Sequence, residues 1–189
     1  MNCWGGGVMV KHHVAAALGA VLLSMCGAAA TLQRLEMDEM IQKSTAIVRG
    51  RVAGSAARLH GSSIYTHYRV QVLESWKGAE VTEVDVVVPG GIASGMRKVF
   101  PGAPRLETGS EYVLFLWTGA SGLTNIMGLS QGVFDVHRDI AGGVFAARSA
   151  STETMLDAEG RPVRDEAVRI RFDDLRGRIQ ALTARGAQR

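Results

Sequence analysis

Cysteine is all but missing. The 189-residue chain has two, Cys3 and Cys26, both within the first thirty positions. From Thr31 onward there is none, so a cystine framework is excluded and core packing must hold the fold together. Proline is scarce, at four residues, and no triplet glycine repeat is present, which rules out collagen-like and proline-rich chains. Charge of one sign is also lacking in excess: 21 basic against 18 acidic residues give a formal net charge of +3. That is too little for binding to a polyanion by overall charge. No long apolar run follows residue 30, so no later segment reads as a membrane-spanning helix. What remains is 47% hydrophobic, enough for a folded domain.

The first thirty residues carry Lys11 as their only formal charge, followed by His12 and His13 and then the apolar stretch Val14 to Met25. Ala28-Ala29-Ala30 supplies the small residues that signal peptidase accepts. Residues 1–30 therefore read as an export signal cut after Ala30, placing the protein in the periplasm or the medium. An uncleaved anchor is the competing reading, but the apolar run falls short of the roughly twenty residues a spanning helix needs. Leu23-Ser24-Met25-Cys26 has the outline of a lipoprotein box. Met25 stands where a small residue is required, which disfavours lipidation of Cys26.

Leu35, Met37, Met40 and Ile41 recur at helical spacing, with Asp38 and Glu39 in the expected first turn, predicting a helix from about Met37 to Ser44. Strand patterns follow. Ile47, Val48 and Val52 are closed by Gly54 and Ser55; Ile64, Thr66, Tyr68, Val70 and Val72 alternate with His67, Arg69 and Gln71; Val84, Val86 and Val88 end at Pro89-Gly90-Gly91. Tyr112 to Trp117 is apolar on both faces, as in a strand covered on each side. Leu123 to Met127, Gly132 to His137 and Val144 to Ala147 complete the set, the last two joined by a hairpin through residues 139–143. Trp76 and Trp117 each close an apolar strand and are expected as core anchors.

The segment Gly90 to Gly109 has too many breakers for a regular element and is long enough to be functional. Its Arg97, Lys98 and Phe100 pair two cations with an aromatic, a combination enriched at interfaces, and are the candidate partner-binding residues. From Glu153 the chain is polar until Leu175, Ile179 and Leu182 space as a helix face, with Asp173 or Asp174 as N-cap. Residues 161–189 hold eight arginines and four acids, read as a solvated helix surface. The expected organisation is a signal peptide at 1–30, a mainly β domain with an N-terminal helix at 31–150, and a polar linker with a C-terminal helix at 151–189. Short strands without a βαβ rhythm point to a small closed or sandwich-like β fold.

STAIVRGRV, IYTHYRVQVLESWKG, VDVVVPGG and LETGSEYVLFLW follow one another in an order that resembles netrin-type modules, including the tissue inhibitors of metalloproteinases. The matching positions are Val48 to Val52, Tyr68 through Lys77-Gly78, and Gly109, Glu111, Tyr112 and Leu114. The chain is also similar to uncharacterised secreted bacterial proteins sharing IYT, Lys-Gly, PGG and GLSQGVF segments. The resemblance spans residues 44–137. It implies an OB-like antiparallel barrel of five to seven strands with short flanking helices, acting as a non-enzymatic binding module. The implied partner is a protein of the envelope or medium, with a metalloprotease as one class. The zinc-chelating amino-terminal cysteine of the metalloproteinase inhibitors has no counterpart after Ala30, so inhibition by that route is not expected.

Four further chemistries have partial signals in the sequence. Gly128-Leu129-Ser130-Gln131-Gly132 matches the GxSxG nucleophile elbow, making a small secreted serine hydrolase using Ser130 the alternative function. Asp135 and His137 are its nearest partners, yet strand-like residues follow where the elbow needs a helix. Gly90 and Gly95 have phosphate-loop spacing, but Met96 stands where lysine is needed. His60, His67 and His137 include no closely spaced pair, so no metal or cofactor is expected. Tyr65, His67 and Arg69 share a strand face that could stack bases, but export and the low net charge argue against nucleic acid.

Overall fold

The computed structural model describes residues 31–186; the export-signal reading of residues 1–30, with Cys26, lies outside them. The described residues begin with β1 (Thr31–Gln33) and α1 (Met37–Lys43). Six strands follow: β2 (Ala46–His60), β3 (Ser63–Lys77), β4 (Glu83–Pro89), β5 (Gly91–Ala93), β6 (Met96–Lys98) and β7 (Glu111–Thr118). Beyond these come β8 (Thr124–Ile126), a 3-10 turn at Leu129–Gly132, β9 (Val133–Arg138) and β10 (Val144–Arg148). The last described elements are β11 (Thr154–Leu156), β12 (Pro162–Val163), β13 (Val168–Arg171) and α2 (Phe172–Gly186). The fold is mainly β with two helices. No helix among the described residues is long and apolar enough to cross a membrane.

The main sheet runs β13-β10-β9-β7-β2-β3-β4-β8, and β8 also pairs with β7. Strands β7, β2, β3, β4 and β8 thus close into a ring, while β9, β10 and β13 extend from β7 as a flap. The ring is not wholly antiparallel, because β8 runs parallel to β4 through Val86↔Thr124 and Val87↔Asn125.

Residue alternation explains why β7 is apolar on both faces. Tyr112, Leu114 and Leu116 point into the ring, where they meet Val48, Val52, Val70, Val86 and Ile126. Val113 and Phe115 point outward to Met40, Ile41, Phe172, Leu175 and Ile179 of the two helices. The helices therefore cover the outside of the ring, and each presents one apolar stripe. In α1 that stripe is Met40 and Ile41, with Asp38 and Glu39 near the helix start and Lys43 at its end.

Several expectations are corrected. Strand β2 does not close at Gly54 and Ser55 but runs to His60, its second arm held by backbone pairing to β3. The Gly90–Gly109 loop contains the β5–β6 hairpin, turning at Ser94 and Gly95, both at positive φ. The presumed polar linker carries three strands: β11 pairs in parallel with β1, β12 pairs with β11, and β13 joins the main sheet beside β10. Trp76 is buried as expected, its ring edge-on to Phe172 at 4.9 Å, but Trp117 lies 46% exposed at the end of β7.

Candidate functional site

The residues that carry the netrin-like resemblance converge on structural work. Arg49 of β2 donates through Nε to Glu111 Oε1 at 2.5 Å and through Nη1 to Glu74 Oε1 at 2.5 Å, and its guanidinium lies 4.9 Å from the centre of the Phe172 ring. Glu74 Oε2 accepts from Trp76 Nε1 at 3.1 Å and Arg176 Nη1 at 3.4 Å. Burial pushes the Glu74 carboxyl up, but the Trp76 and Arg49 hydrogen bonds and the charges of Arg49 and Arg176 outweigh it, leaving its pKa below the ordinary value. The network fastens α2 to the ring.

The Lys-Gly pair has a similar explanation. Lys77 Nζ donates to the carbonyls of Ile41 at 2.6 Å and Gln42 at 2.9 Å, satisfying orphan acceptors at the end of α1. Partial burial lowers its pKa. Gly78 sits at φ +91°, and a Cβ there would lie 2.8 Å from the Thr45 carbonyl oxygen.

GLSQG also serves the fold. Gln131 is 1% exposed. Its Oε1 accepts from Leu35 N–H at 2.9 Å, while Nε2 donates to the carbonyls of Gln33 at 2.9 Å and Gly128 at 3.3 Å. The side chain clamps residues 33–35 to the ring from nearly a hundred positions away. Ser130 lies inside the 3-10 turn, and the left-handed backbone of this segment falls on Gly128 and Leu129, one residue short of the position an elbow needs. Ser130 shares a groove of about 400 Å³ with Asp135 and Arg148. His137 is not among that groove's lining residues, and the strand that follows Ser130 replaces the required helix. Arg148 is committed to Asp165, with Nη1–Oδ2 at 2.5 Å and Nη2–Oδ1 at 3.1 Å. Burial raises the Asp165 carboxyl, but the Arg148 pairing and the Ser151 N–H hold it below its ordinary value.

On the Tyr65–His67–Arg69 face each basic group has a carboxylate on β4. His67 Nδ1 lies 2.8 Å from Asp85 and Arg69 Nε 3.9 Å from Glu83.

The Gly90–Gly109 loop is different. Its ends are pinned: Gly90 N–H donates to Ile64 O at 2.8 Å, Gly109 N–H to Val52 O at 2.8 Å, and Leu106 enters the ring core. Between them the loop turns apolar side chains outward. Of the nine large apolar side chains exposed among the described residues, Ile92, Met96, Val99 and Phe100 lie within one nine-residue stretch. Sequence reasoning identified Phe100 and missed the other three, whose only signal was apolar character beside turn residues.

Arg97, Lys98 and Phe100 come together along one groove of about 420 Å³, joined by Arg105. Lys98 Nζ donates to the Ser62 carbonyl, steadying the hairpin against the β2–β3 turn. Phe100 and Pro104 also wall a second groove of about 490 Å³, lined by Leu32, Tyr65, Val87 and Leu129 among others. The arrangement can seat an apolar group and an anionic group side by side. No protein-family model, curated protein or solved structure matches this chain.

Proposed function

We propose that this chain is an exported, netrin-like OB barrel that acts as a non-enzymatic binding module and engages a protein of the envelope or medium through its Gly90–Gly109 loop. The strand order supports the barrel type. Strands β7-β2-β3-β4 follow the Greek-key order, three consecutive strands with the fourth returning beside the first, and β8 closes the ring as the fifth strand.

The observation that carries the binding reading is the concentration of exposed apolar side chains on a loop fixed at both ends, beside Arg97 and Lys98. Aromatic residues, methionine and arginine are enriched at interfaces, and Phe100, Met96 and Arg97 supply all three on a segment fixed in advance. A metalloprotease is one partner class within this reading. The alternative, a hydrolase using Ser130, has weaker support, because the GLSQG segment is accounted for by the Gln131 clamp.

Affinity capture from the organism's exported fraction tests this, with the wild-type protein and an Arg97→Ala/Lys98→Ala/Phe100→Ala variant as parallel baits. Retention of a protein by the wild type and its loss from the variant is expected. Identical retention by both refutes the site.

A further inference from the structure

Resting on that binding reading, we propose the chemistry of the partner: an extended acidic protein segment carrying one bulky apolar side chain. The apolar side chain enters the groove beside Leu32, Tyr65, Ile126 and Leu129, while flanking carboxylates face Arg97, Lys98 and Arg105.

Three observations converge on this occupant. The first is adjacency. Phe100 and Pro104 line both grooves, so the two depressions flank one short wall, and a chain crossing Phe100 meets both.

The second is the character of each groove. Among the ten residues lining the groove of about 490 Å³, only Tyr65 and Asn125 carry polar side-chain groups. That volume accommodates a phenylalanine, leucine or methionine side chain, which gains by leaving water. In the other groove Arg97, Lys98 and Arg105 face a single lining acid, Glu107.

The third is that no carboxylate of the described residues neutralises these cations, although Lys98 also donates to the Ser62 carbonyl. None of the three forms an ion pair with a carboxylate among the described residues, whereas Arg49, Arg69, Arg148 and Arg176 each do. Carboxylates of a partner therefore accept forked hydrogen bonds from the Arg97 and Arg105 guanidinium groups. A recessed apolar cavity between strands suits a single inserted side chain. A lipid surface would instead be met by protruding side chains alone.

The test is fluorescence anisotropy with the purified protein and a fluorescein-labelled nonapeptide of alternating aspartate and glutamate around a central phenylalanine. Saturable binding is expected. Replacing the phenylalanine of the peptide by serine should weaken it about tenfold or more. Replacing its acids by lysine should abolish it.

On the protein, Arg97→Ala with Arg105→Ala should weaken binding and flatten its salt dependence. Leu129→Asn should weaken binding without unfolding the chain, since Leu129 sits at φ +57°, where asparagine is better tolerated than leucine. The proposal is overturned if the lysine peptide or the serine peptide binds equally well. It is also overturned if the acidic peptide fails to bind, whether or not the protein adheres to phosphatidylglycerol vesicles. Adding the acidic peptide as competitor to the capture experiment separates the two claims. A partner lost from the triple-alanine bait but not displaced by peptide sinks the acidic segment and keeps the loop. A partner unaffected by the triple variant sinks both.

Discussion

Gln131→Ala separates a structural from a catalytic reading of the GLSQG segment. The substitution removes an acceptor for Leu35 N–H and a donor for Gln33 C=O, both at 2.9 Å, from a side chain that is 1% exposed. Each buried polar group left without its partner costs about 1–3 kcal/mol. Gln33 is itself exposed, so water can reclaim part of the loss at its carbonyl. Together these place the cost at about 2–4 kcal/mol, a fall in Tm of roughly 10 °C for a domain of this size. Urea unfolding followed by tryptophan fluorescence reads it directly, because Trp76 is stacked edge-on against Phe172 in the core. Ser130→Ala, measured alongside, should stay within about 0.5 kcal/mol of wild type. A Gln131→Ala variant as stable as wild type would refute the clamp, as would a Ser130→Ala variant equally destabilised.

Phe172→Ala should cost about 3–5 kcal/mol, since the ring is 7% exposed, packs on Trp76 and lies beneath Arg49; hydrogen exchange should show α2 losing protection before the ring strands. Asp165→Asn should destabilise by about 3–5 kcal/mol at neutral pH by leaving Arg148, whose side chain is 10% exposed, without its counter-charge. The Asp165 carboxyl titrates below its ordinary 3.8 in the folded state. Its contribution is therefore complete above that value and fades as pH falls through the lower folded pKa, so the acid limb of a stability profile should be shallower in the variant. Ser130→Ala should leave any ester turnover of the purified protein unchanged, and a loss of turnover on that substitution would revive the hydrolase.

Legibility in the sequence followed the physics of each element. The helix at Met37–Lys43, the alternating strand through Ile64 to Val72 and the two-faced strand at Glu111–Thr118 were readable because burial imposes a period on them. The second arm of β2, residues 54–60, was not, because it is mostly exposed and held by cross-strand backbone bonds that leave no hydrophobic period. Strands β1 and β11 pair across more than a hundred residues and are three residues each, too short to show a pattern. The sequence pattern suggests Asp173 or Asp174 as N-cap, but the helix begins earlier at Phe172, which puts both in the first turn. Closing an apolar strand does not by itself bury a side chain: Trp117, next to last in β7, is 46% exposed.

The candidate site was legible only in outline. Arg97, Lys98 and Phe100 stood out by composition, and the structure brings them to one groove. Arg105 and the apolar groove beyond Phe100 depend on contacts between β1, β3, β4, β8 and the loop, which no local window of sequence contains.

The most direct test of the central claim is the equilibrium affinity of the captured partner for the wild-type protein and for the Arg97→Ala/Lys98→Ala/Phe100→Ala variant, both verified as folded by thermal unfolding. A loop that forms the centre of the interface should lose at least about tenfold in affinity, the scale of truncating an anchoring aromatic and its flanking cations. Equal affinity for the two proteins would contradict the assignment of function to this loop.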